Sequence, residues 1–342
     1  MNNIDRHKKW IVFLLCTIMG GVSSFCQTNR FRVMEYNVEN LFDCKHDSLK
    51  NDTEFLPTAL RKWDYRKYRE KLIKLGKVIV AVGGEQVPDL VALCEVENEH
   101  VLTDLTRYTP LKEVGYRFLT TDSPDERGID VALLYQPGRF KVLQHRAIGI
   151  TPMKGQRPTR DILHVCGMIV TGDTLDVFVC HLPSRATGAR QSRPHRAHVA
   201  TRLKTYCDSL LNVRKAPRIL ITGDFNDTPE GFIMQKILQT DTPGEKVSPL
   251  QFYHLIAPQV PGTYRYHGEW SVLDHFLVSG LLLDKHTNFH LSPDSAIIVA
   301  FPFLLEPDRK YGGYKPYRTY IGPRYNGGVS DPLPIRVDFV IK

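Results

Sequence analysis

One short stretch of the sequence joins a predicted buried strand to residues that could do chemistry. Residues 219–222 are apolar and rich in β-branched side chains, and Gly223-Asp-Phe-Asn226 follows directly. Side chains two residues apart leave a strand on the same side, so Asp224 and Asn226 are expected to share one crevice. A carboxylate and a carboxamide together suit a divalent cation and a phosphate oxygen. Taken alone, such a strand end is also typical of a turn.

Polar residues end or border other predicted strands over almost the whole chain. These are Asn37, Glu95, His181, Asp274 and Asp331. We expect them to form, with Asp224 and Asn226, one pocket at one edge of packed sheets. Carboxylate and amide ligands favour Mg²⁺, or Mn²⁺, over zinc, and such an ion polarises a phosphoryl oxygen. Individually, each of these residues would also fit an ordinary salt bridge or a buried core histidine.

The elements that must position these residues follow from the hydrophobic periodicity. Predicted strands cover 31–37, 89–95, 116–121, 130–135, 140–148, 162–170, 175–180, 219–222, 263–267, 270–278 and 335–341. Predicted helices cover 65–82, 100–107, 198–211 and 232–238, with a helix-start signal at 227–230. Residues 43–62 and 311–331 are expected to be loops, the second a long surface loop.

The N-terminal segment has the features of a secretory signal peptide. Basic residues precede an apolar run from Trp10 to Met19, and small residues follow up to Cys26. We therefore expect a secreted or periplasmic protein that starts at Gln27, with a lipid-anchored Cys26 as the alternative. The net charge of +8 suits an anionic partner. The five cysteines beyond residue 26 show no disulfide framework and no zinc spacing.

Six short motifs occur in an order that matches a known protein family. They are Tyr36-Asn-Val-Glu-Asn40, Leu93-Cys-Glu-Val96, His181-Leu-Pro-Ser184, Gly223-Asp-Phe-Asn226, Leu273-Asp-His-Phe276 and Ser330-Asp331. In this order and spacing the chain resembles the endonuclease/exonuclease/phosphatase family over residues 30 to 342. The resemblance implies an α/β (α+β) fold of the deoxyribonuclease I-like type, a four-layer sandwich of two mixed β-sheets flanked by helices. It also implies that residues 27–342 form a single domain.

The resemblance further implies Mg²⁺-dependent attack of water on a phosphoester and gives the metal ligands. Glu95 would be the principal ligand, with Asn37 beside it and Asp331 able to assist.

Four further residues receive catalytic roles from the resemblance. Asp224 would orient or activate the water, and Asn226 would hold a phosphate oxygen. His181 would contact the phosphate or the leaving group. Asp274 matches an aspartate that elsewhere supports a catalytic histidine.

The chain departs from the family at that last histidine. The family's C-terminal motif is Ser-Asp-His, whereas this sequence has Ser330, Asp331 and Pro332. Proline cannot carry a proton, and general acid–base groups contribute about 10²–10⁴-fold to rates, so a weakened enzyme is expected. His275 or His181 is a possible replacement, although His275 should point away from the face that carries Asp274.

The expected substrate is a phosphoester, with nucleic acid favoured. Arg185 and Arg190 follow His181 and would suit a further phosphate, although a charge run also fits a solvated face. The tyrosines of 311–331 would serve packing or the stacking of bases or sugars. A phospholipid headgroup is the alternative substrate, with 301–305 as the apolar loop it would require. A phosphate-binding protein without activity is the non-enzymatic alternative, and no stable protein partner is expected.

Overall fold

Two mixed β-sheets pack face to face at the centre of the computed structural model, which describes residues 30–244, 246–255, 262–291 and 295–342. Within these residues the strands are β1 (Arg30–Leu41), β2 (Leu90–Val96), β3 (Arg117–Thr120), β4 (Asp130–Tyr135), β5 (Phe140–Ile148), β6 (Ile162–Ile169), β7 (Thr174–His181), β8 (Ile219–Asp224), β9 (Phe252–His254), β10 (Tyr264–Tyr266), β11 (Glu269–Ser271), β12 (Asp274–Ser279), β13 (Phe289–His290), β14 (Ile297–Ile298), β15 (Leu305–Pro307), β16 (Tyr314–Pro316), β17 (Tyr320–Ile321), β18 (Arg324–Tyr325) and β19 (Ile335–Ile341).

Each large sheet contains one parallel pair of strands near its centre. The first sheet has the order β13-β19-β1-β2-β4-β3, with β14 also on β19, and β1 runs parallel to β2. The second has the order β5-β6-β7-β8-β12-β9, and β7 runs parallel to β8. Strands β1 and β2 pack against β7 and β8. The carboxyl ends of both parallel pairs therefore meet at one edge of the sandwich.

Helices cover the outer faces of the two sheets. On the first sheet lie α1 (Tyr65–Gly83), whose first turn is capped by the Asp64 carboxylate, and α2 (Glu99–Arg107), which is capped by Asn98. On the second sheet lies α3 (Arg193–Val213), which packs Val199 and Leu203 into a core shared with β7 and β8. The result is a four-layer α/β sandwich, so the predicted fold class is confirmed.

The short helices and the linking segments include several corrections to the sequence-based expectations. Residues Thr53–Phe55, Pro110–Glu113, Gly280–Leu283 and Pro302–Leu304 form 3₁₀ turns, and Ile233–Leu238 forms a π-helix. The helix start expected at 227–230 is wrong, because Asp227 accepts from the Ile233 amide and Gly231 donates to Thr228 in a turn.

The strand expected at 270–278 is divided in two. Its first part pairs with β10 in a separate hairpin, and its second part, β12, joins the second sheet. The Oγ1 atom of Thr263 accepts from the Leu273 amide, and Leu273 O accepts from the Phe225 amide. These contacts fix the break directly before Asp274.

Residues 311–331 are less exposed than expected of a surface loop. They contain β16, β17 and β18, and Tyr320 and Val329 are buried in the main core. The Tyr320 ring contacts Trp63 at a centroid distance of 6.0 Å. This segment is therefore packed onto the side of the first sheet.

The predicted signal peptide, residues 1–26, lies outside the described residues. No helix in the described ranges is long and apolar enough to span a membrane. Cys44, Cys94, Cys166, Cys180 and Cys207 are all free thiols.

Candidate active site

The alternation of side chains along the strands directs three polar residues into the space between the sheets. On β7, Val177 and Val179 belong to the core between the sheets, whereas Phe178 and Cys180 belong to the core under α3. His181 continues the inward series on β7, and Asp224 follows the inward residues of β8. Asp274 opens β12 on the same face as the inward residues Phe276 and Val278. The second sheet therefore presents His181, Asp224 and Asp274 on one face.

Irregular backbone at the strand ends turns the remaining side chains toward the same edge. The pairing of β1 with β2 shifts between Asn37 and Leu41, and that of β2 with β4 shifts between Cys94 and Val96. Four non-glycine residues at these ends have a left-handed backbone; they are Glu39 (φ 48°), Asn40 (φ 58°), Glu95 (φ 65°) and Asn226 (φ 50°). Such conformations cost about 1–3 kcal/mol each and cluster at functional sites.

One amide joins the two sheets at this edge. Asn37 Nδ2 donates to Glu95 Oε1 at 3.3 Å and to Asp224 Oδ2 at 3.1 Å. His181 Nε2 lies 3.8 Å from each of the same two oxygen atoms. The Glu95 carboxylate is further held by the Asn40 amide, which donates to Oε2 at 2.9 Å. The structure therefore brings together Asn37, Glu95, His181 and Asp224, which are far apart in the sequence.

Burial and charge set the protonation of this cluster. Burial, with the Glu95 charge as a further cause, raises the pKa of Asp224 to about 6. Burial lowers the pKa of His181 well below its usual value, and the charges of Arg160 and Arg127 act in the same direction. His181 is therefore neutral at pH 7, while the two carboxylates repel each other.

The donor set fits a hard cation. Among the described residues, no group of three or more His, Cys, Asp or Glu side chains is arranged to hold a metal ion. Mg²⁺ does not need such a group, because it is usually bound by one or two carboxylates together with water and substrate phosphate. Glu95 and Asp224 place two carboxylate oxygens around one amide, and a cation would relieve their repulsion.

The loop after β8 is fixed by its own side chains. Gly223 has φ +136°, and a Cβ there would collide with Cys180 O on β7. The Asn226 amide donates to Asp224 Oδ1 at 2.8 Å, and Asn226 Nδ2 donates to Leu182 O at 3.0 Å. The loop therefore locks the orientation of the Asp224 carboxylate.

The two arginines predicted to bind phosphate have other surroundings. Arg185 donates to Asn226 O at 2.5 Å and pairs with Asp227 at 2.8 Å, so its guanidinium holds the loop after β8. Arg190 is exposed at the surface. Neither arginine forms an ion pair with Glu95 or Asp224.

A model of the Endonuclease/Exonuclease/phosphatase family matches residues 32–341, which is almost the whole described chain. The chain belongs to this family. No curated protein sequence matches it significantly.

Solved structures of the same family share the fold of this member. A family protein from Bacteroides thetaiotaomicron is 16% identical, with 92% of this chain and 95% of that chain covered and a TM-score of 0.56. The catalytic domain of human nocturnin is 17% identical, with 92% and 95% covered and a TM-score of 0.52. A mannosyl-6-phosphatase from Bacteroides thetaiotaomicron is also 17% identical, with 91% and 100% covered and a TM-score of 0.55.

Asp274 is a buried carboxyl group on the face of β12 that points between the sheets. It lies opposite Asp224 in the β8–β12 pairing, and both of its buried carboxylate oxygens have no hydrogen-bond partner among the described residues. Burial, reinforced by the Asp224 charge, raises the pKa of Asp274 well above its usual value. Pro332, which directly follows Asp331, is buried.

His275 lies on the opposite face of β12 from Asp274. It faces the outer core, where Nδ1 contacts His254 Nε2 at 2.7 Å and Nε2 contacts Asp227 O at 2.8 Å. Burial lowers the pKa of His275 to about 4. The expectation that it points away from Asp274 is therefore confirmed.

Asp331 is held by an arginine and has no direct contact with Glu95. Arg318 Nη2 lies 3.0 Å from Asp331 Oδ2 and 3.0 Å from Glu39 Oε1. Burial, with Glu39 as the next cause, raises the pKa of Asp331 to about 8. Ser330 Oγ donates to Asn37 O at 2.6 Å and ties this segment to β1.

Three residues of the site were not predicted from the sequence. Glu39 lies two positions after Asn37, so its spacing was a usable signal. Glu35, two positions before Asn37 on the same face, is fully buried between the sheets. Arg318 lies within the tyrosine-rich segment 311–331, and no strand-end pattern connects it to Glu39, which is 279 residues away.

Proposed function

We propose that this chain is a Mg²⁺-dependent phosphoesterase, and that its substrate is a phosphodiester such as nucleic acid. The observation that carries the proposal is the contact of Asn37 with both Glu95 and Asp224, with His181 at 3.8 Å from the same oxygens. Glu95 would hold the ion, and Asn37 would ligate it only through Oδ1, which here accepts from the Glu39 backbone amide at 3.0 Å. Ionised Asp331 would assist from the rim. The ion would polarise a phosphoryl oxygen and stabilise charge on the leaving oxygen.

The residues around the ion would then accept the proton of the attacking water and hold the phosphate. A carboxylate whose pKa is raised to about 6 is a suitable acceptor for the proton of the attacking water, so we assign this role to Asp224. The water oxygen forms a bond to phosphorus while the ester P–O bond breaks. Neutral His181 would donate a hydrogen bond to a phosphate oxygen, and the second N–H of Asn226 Nδ2 would do the same.

The missing histidine is expected to slow this reaction. Asp274 has no imidazole as a hydrogen-bond partner, so the leaving oxygen would take its proton from a water molecule. Loss of a general acid typically costs about 10²–10⁴-fold in rate. Substrates with good leaving groups, which need no proton, should therefore be turned over best.

The choice of a nucleic-acid substrate rests on charge near the site. A groove of about 650 Å³ adjoins Pro183 and Ser184, two and three residues after His181, and is lined by Arg127, Arg157 and Arg160 among others. Asp125 and Glu126 also line it and pair with Arg160 and Arg157, so the charge available to a ligand is that of Arg127. Arg127 is exposed, contacts the side-chain oxygen of Asn40, and forms no ion pair with any carboxylate in the described ranges. Such a groove suits a second phosphate of a polyanion.

A phospholipid is the alternative substrate, and it has less support. Phe303 is exposed and stacks on Phe301 at 5.3 Å, but Leu304 is buried. A single exposed ring is a weak membrane contact. A phosphate-binding protein without turnover is the remaining alternative, because of Pro332.

The test is hydrolysis of plasmid DNA, RNA, a chromogenic phosphodiester, a chromogenic phosphomonoester and sphingomyelin vesicles by residues 27–342. The wild type, Pro332→His and Asp331→Asn are compared, with Glu113→Gln on an exposed side chain as the control. We expect slow Mg²⁺-dependent diester hydrolysis that Pro332→His accelerates. Hydrolysis of the monoester alone, or of sphingomyelin alone, would replace the nuclease assignment. No turnover by either the wild type or Pro332→His would reject the enzyme.

We also propose export through the N-terminal segment. The supporting observation is the basic–apolar–small pattern of residues 1–26. Mass spectrometry of the exported protein should find Gln27 as the first residue, and an intact N-terminus on a cytoplasmic protein would contradict it.

A further inference from the structure

Arg318 joins the two carboxylates at the rim of the site to a distant segment of the chain. Its Nε donates to Glu39 Oε1 at 3.1 Å, and its Nη2 lies 3.0 Å from both Glu39 Oε1 and Asp331 Oδ2. Arg318 thus stands beside Asp331, one residue before the position where this chain has Pro332 in place of the family's histidine.

The backbone that carries Arg318 is fixed on both sides. The Tyr317 amide donates to Leu304 O, the Val329 amide donates to Tyr317 O, and the Gly328 amide donates to Arg318 O. A side chain at Gly328 would collide with the carbonyl oxygen of Tyr317, so the two segments are in close contact.

The next residue anchors the same segment to the site. The Thr319 amide donates to Glu39 Oε2 at 2.7 Å, and buried Lys71 donates to both Glu39 O and Thr319 Oγ1. The guanidinium is therefore held at a defined place relative to Glu39.

The side chain is also open to a ligand. Its exposed fraction is 41%, whereas those of Glu39 and Asp331 are 7% and 22%. A guanidinium has five N–H donors, and Nη1 of Arg318 has no hydrogen-bond partner among the residues that the structure describes. A fixed, partly exposed arginine with free donors is suited to binding phosphate oxygens.

We propose that Arg318 binds a non-bridging oxygen of the substrate phosphate and thereby supplies the positive charge that the family's C-terminal histidine would supply. The inference rests on the proposed function, because it assigns a residue to the same site. Arginine remains charged at every accessible pH, so it stabilises negative charge on the phosphate and transfers no proton. The leaving oxygen still takes its proton from water.

The competing role is that Arg318 only neutralises Glu39 and Asp331. The two roles differ in what they predict for phosphate and for Mg²⁺. A residue that touches the phosphate affects phosphate binding at saturating Mg²⁺. A counter-ion of the carboxylates changes Mg²⁺ affinity, which its removal should raise because the carboxylates then attract the cation more strongly, and it leaves phosphate affinity at saturating Mg²⁺ unchanged.

The experiment is calorimetric titration of inorganic phosphate into residues 27–342 at saturating Mg²⁺, with Mg²⁺ affinity measured separately. The variants are Arg318→Ala, Arg318→Lys and, as the control, Arg324→Ala, which removes an exposed arginine from β18 in the same segment. Circular dichroism confirms folding of each, and Arg318→Gln replaces the alanine variant if that one is unfolded.

We expect Arg318→Ala to weaken phosphate binding by about 10- to 100-fold, the value for charged hydrogen bonds, and Arg324→Ala to leave it unchanged. Arg318→Lys should be intermediate, because it keeps the charge without the planar fork. Unchanged phosphate affinity in Arg318→Ala, with or without a change in Mg²⁺ affinity, would overturn the proposal. Phosphate binding needs no turnover, so the absence of hydrolysis by both the wild type and Pro332→His would reject the proposed function, whereas the phosphate titration decides the role of Arg318 separately.

Discussion

Glu35 gives a prediction that depends on the fold and on the burial of one carboxyl group. The side chain is fully buried between the sheets, and neither of its oxygens has a hydrogen-bond partner in the described part of the chain. Burial raises the pKa of Glu35 well above 4.5, and the charges of Asp274 and Asp224 raise it further. In the native protein Glu35 is therefore a neutral acid, whereas in the unfolded chain it ionises above pH 4.5.

The size of the effect follows from this difference in protonation. Above pH 4.5 the folded state binds one more proton at Glu35 than the unfolded state does, so stability falls as the pH rises toward the folded pKa. The slope is about 1.36 kcal/mol per pH unit, so two pH units in this range cost about 2.7 kcal/mol. Glu35→Gln keeps the shape but cannot ionise, so it removes this loss.

The assay is urea unfolding of wild type and Glu35→Gln at pH 4.5, 5.5, 6.5 and 7.5 in EDTA. We expect similar free energies of unfolding at pH 4.5 and a growing advantage for Glu35→Gln above it. Glu113→Gln, which makes the same change on an exposed side chain, is the control. Parallel curves for wild type and Glu35→Gln would refute the account of a buried, neutral Glu35.

Three further predictions concern the positions that hold the site. Gly223→Ala should lower the free energy of unfolding, measured in urea, by about 3 kcal/mol or more. The new methyl group would collide with the Cys180 carbonyl of β7, and residue 223 has φ +136°, which alanine adopts only with strain. A decrease below about 1 kcal/mol would contradict this. Arg160→Met should lower the free energy of unfolding by about 3–5 kcal/mol, because it leaves the buried carboxylate of Asp125, 3.1 Å away, without its ion-pair partner. Arg157→Met, at an exposed arginine, is the control, and an equal decrease in both variants would contradict this explanation. Mg²⁺ affinity, measured by calorimetry, should fall as the pH decreases through about 6, because protonation of Asp224 removes a negative charge beside the ion. Constant affinity between pH 7.5 and 5.5 would exclude Asp224 from the metal centre.

Much of the site could be predicted because it is made of strand ends. The predicted bounds of β4 and β5 agree with the structure, and α1 differs by one residue. Alternation along β12 also predicts that Asp274 and His275 lie on opposite faces, as they do. These features depend on local periodicity, which the sequence displays directly.

Other features depend on contacts between segments that are distant in the sequence, and hydrophobic periodicity does not predict such contacts. The break before Asp274 arises from hydrogen bonds of Leu273 to Thr263 and Phe225, and no breaking residue marks it in the sequence. Arg318 reaches the site through the packing of residues 311–331 against the first sheet. Arg185 was expected at the phosphate, but its neighbour in space is Asp227.

The central claim is that Glu95 and its neighbours form a metal centre for phosphoester hydrolysis. The most direct measurement is the initial rate of chromogenic phosphodiester hydrolysis by wild type and Glu95→Ala, each with Mg²⁺ and with EDTA. We predict a rate for the wild type that EDTA abolishes and that Glu95→Ala lowers by about 10³-fold, as the loss of several kcal/mol implies. Equal rates for wild type and Glu95→Ala, or a wild-type rate unaffected by EDTA, would contradict the claim.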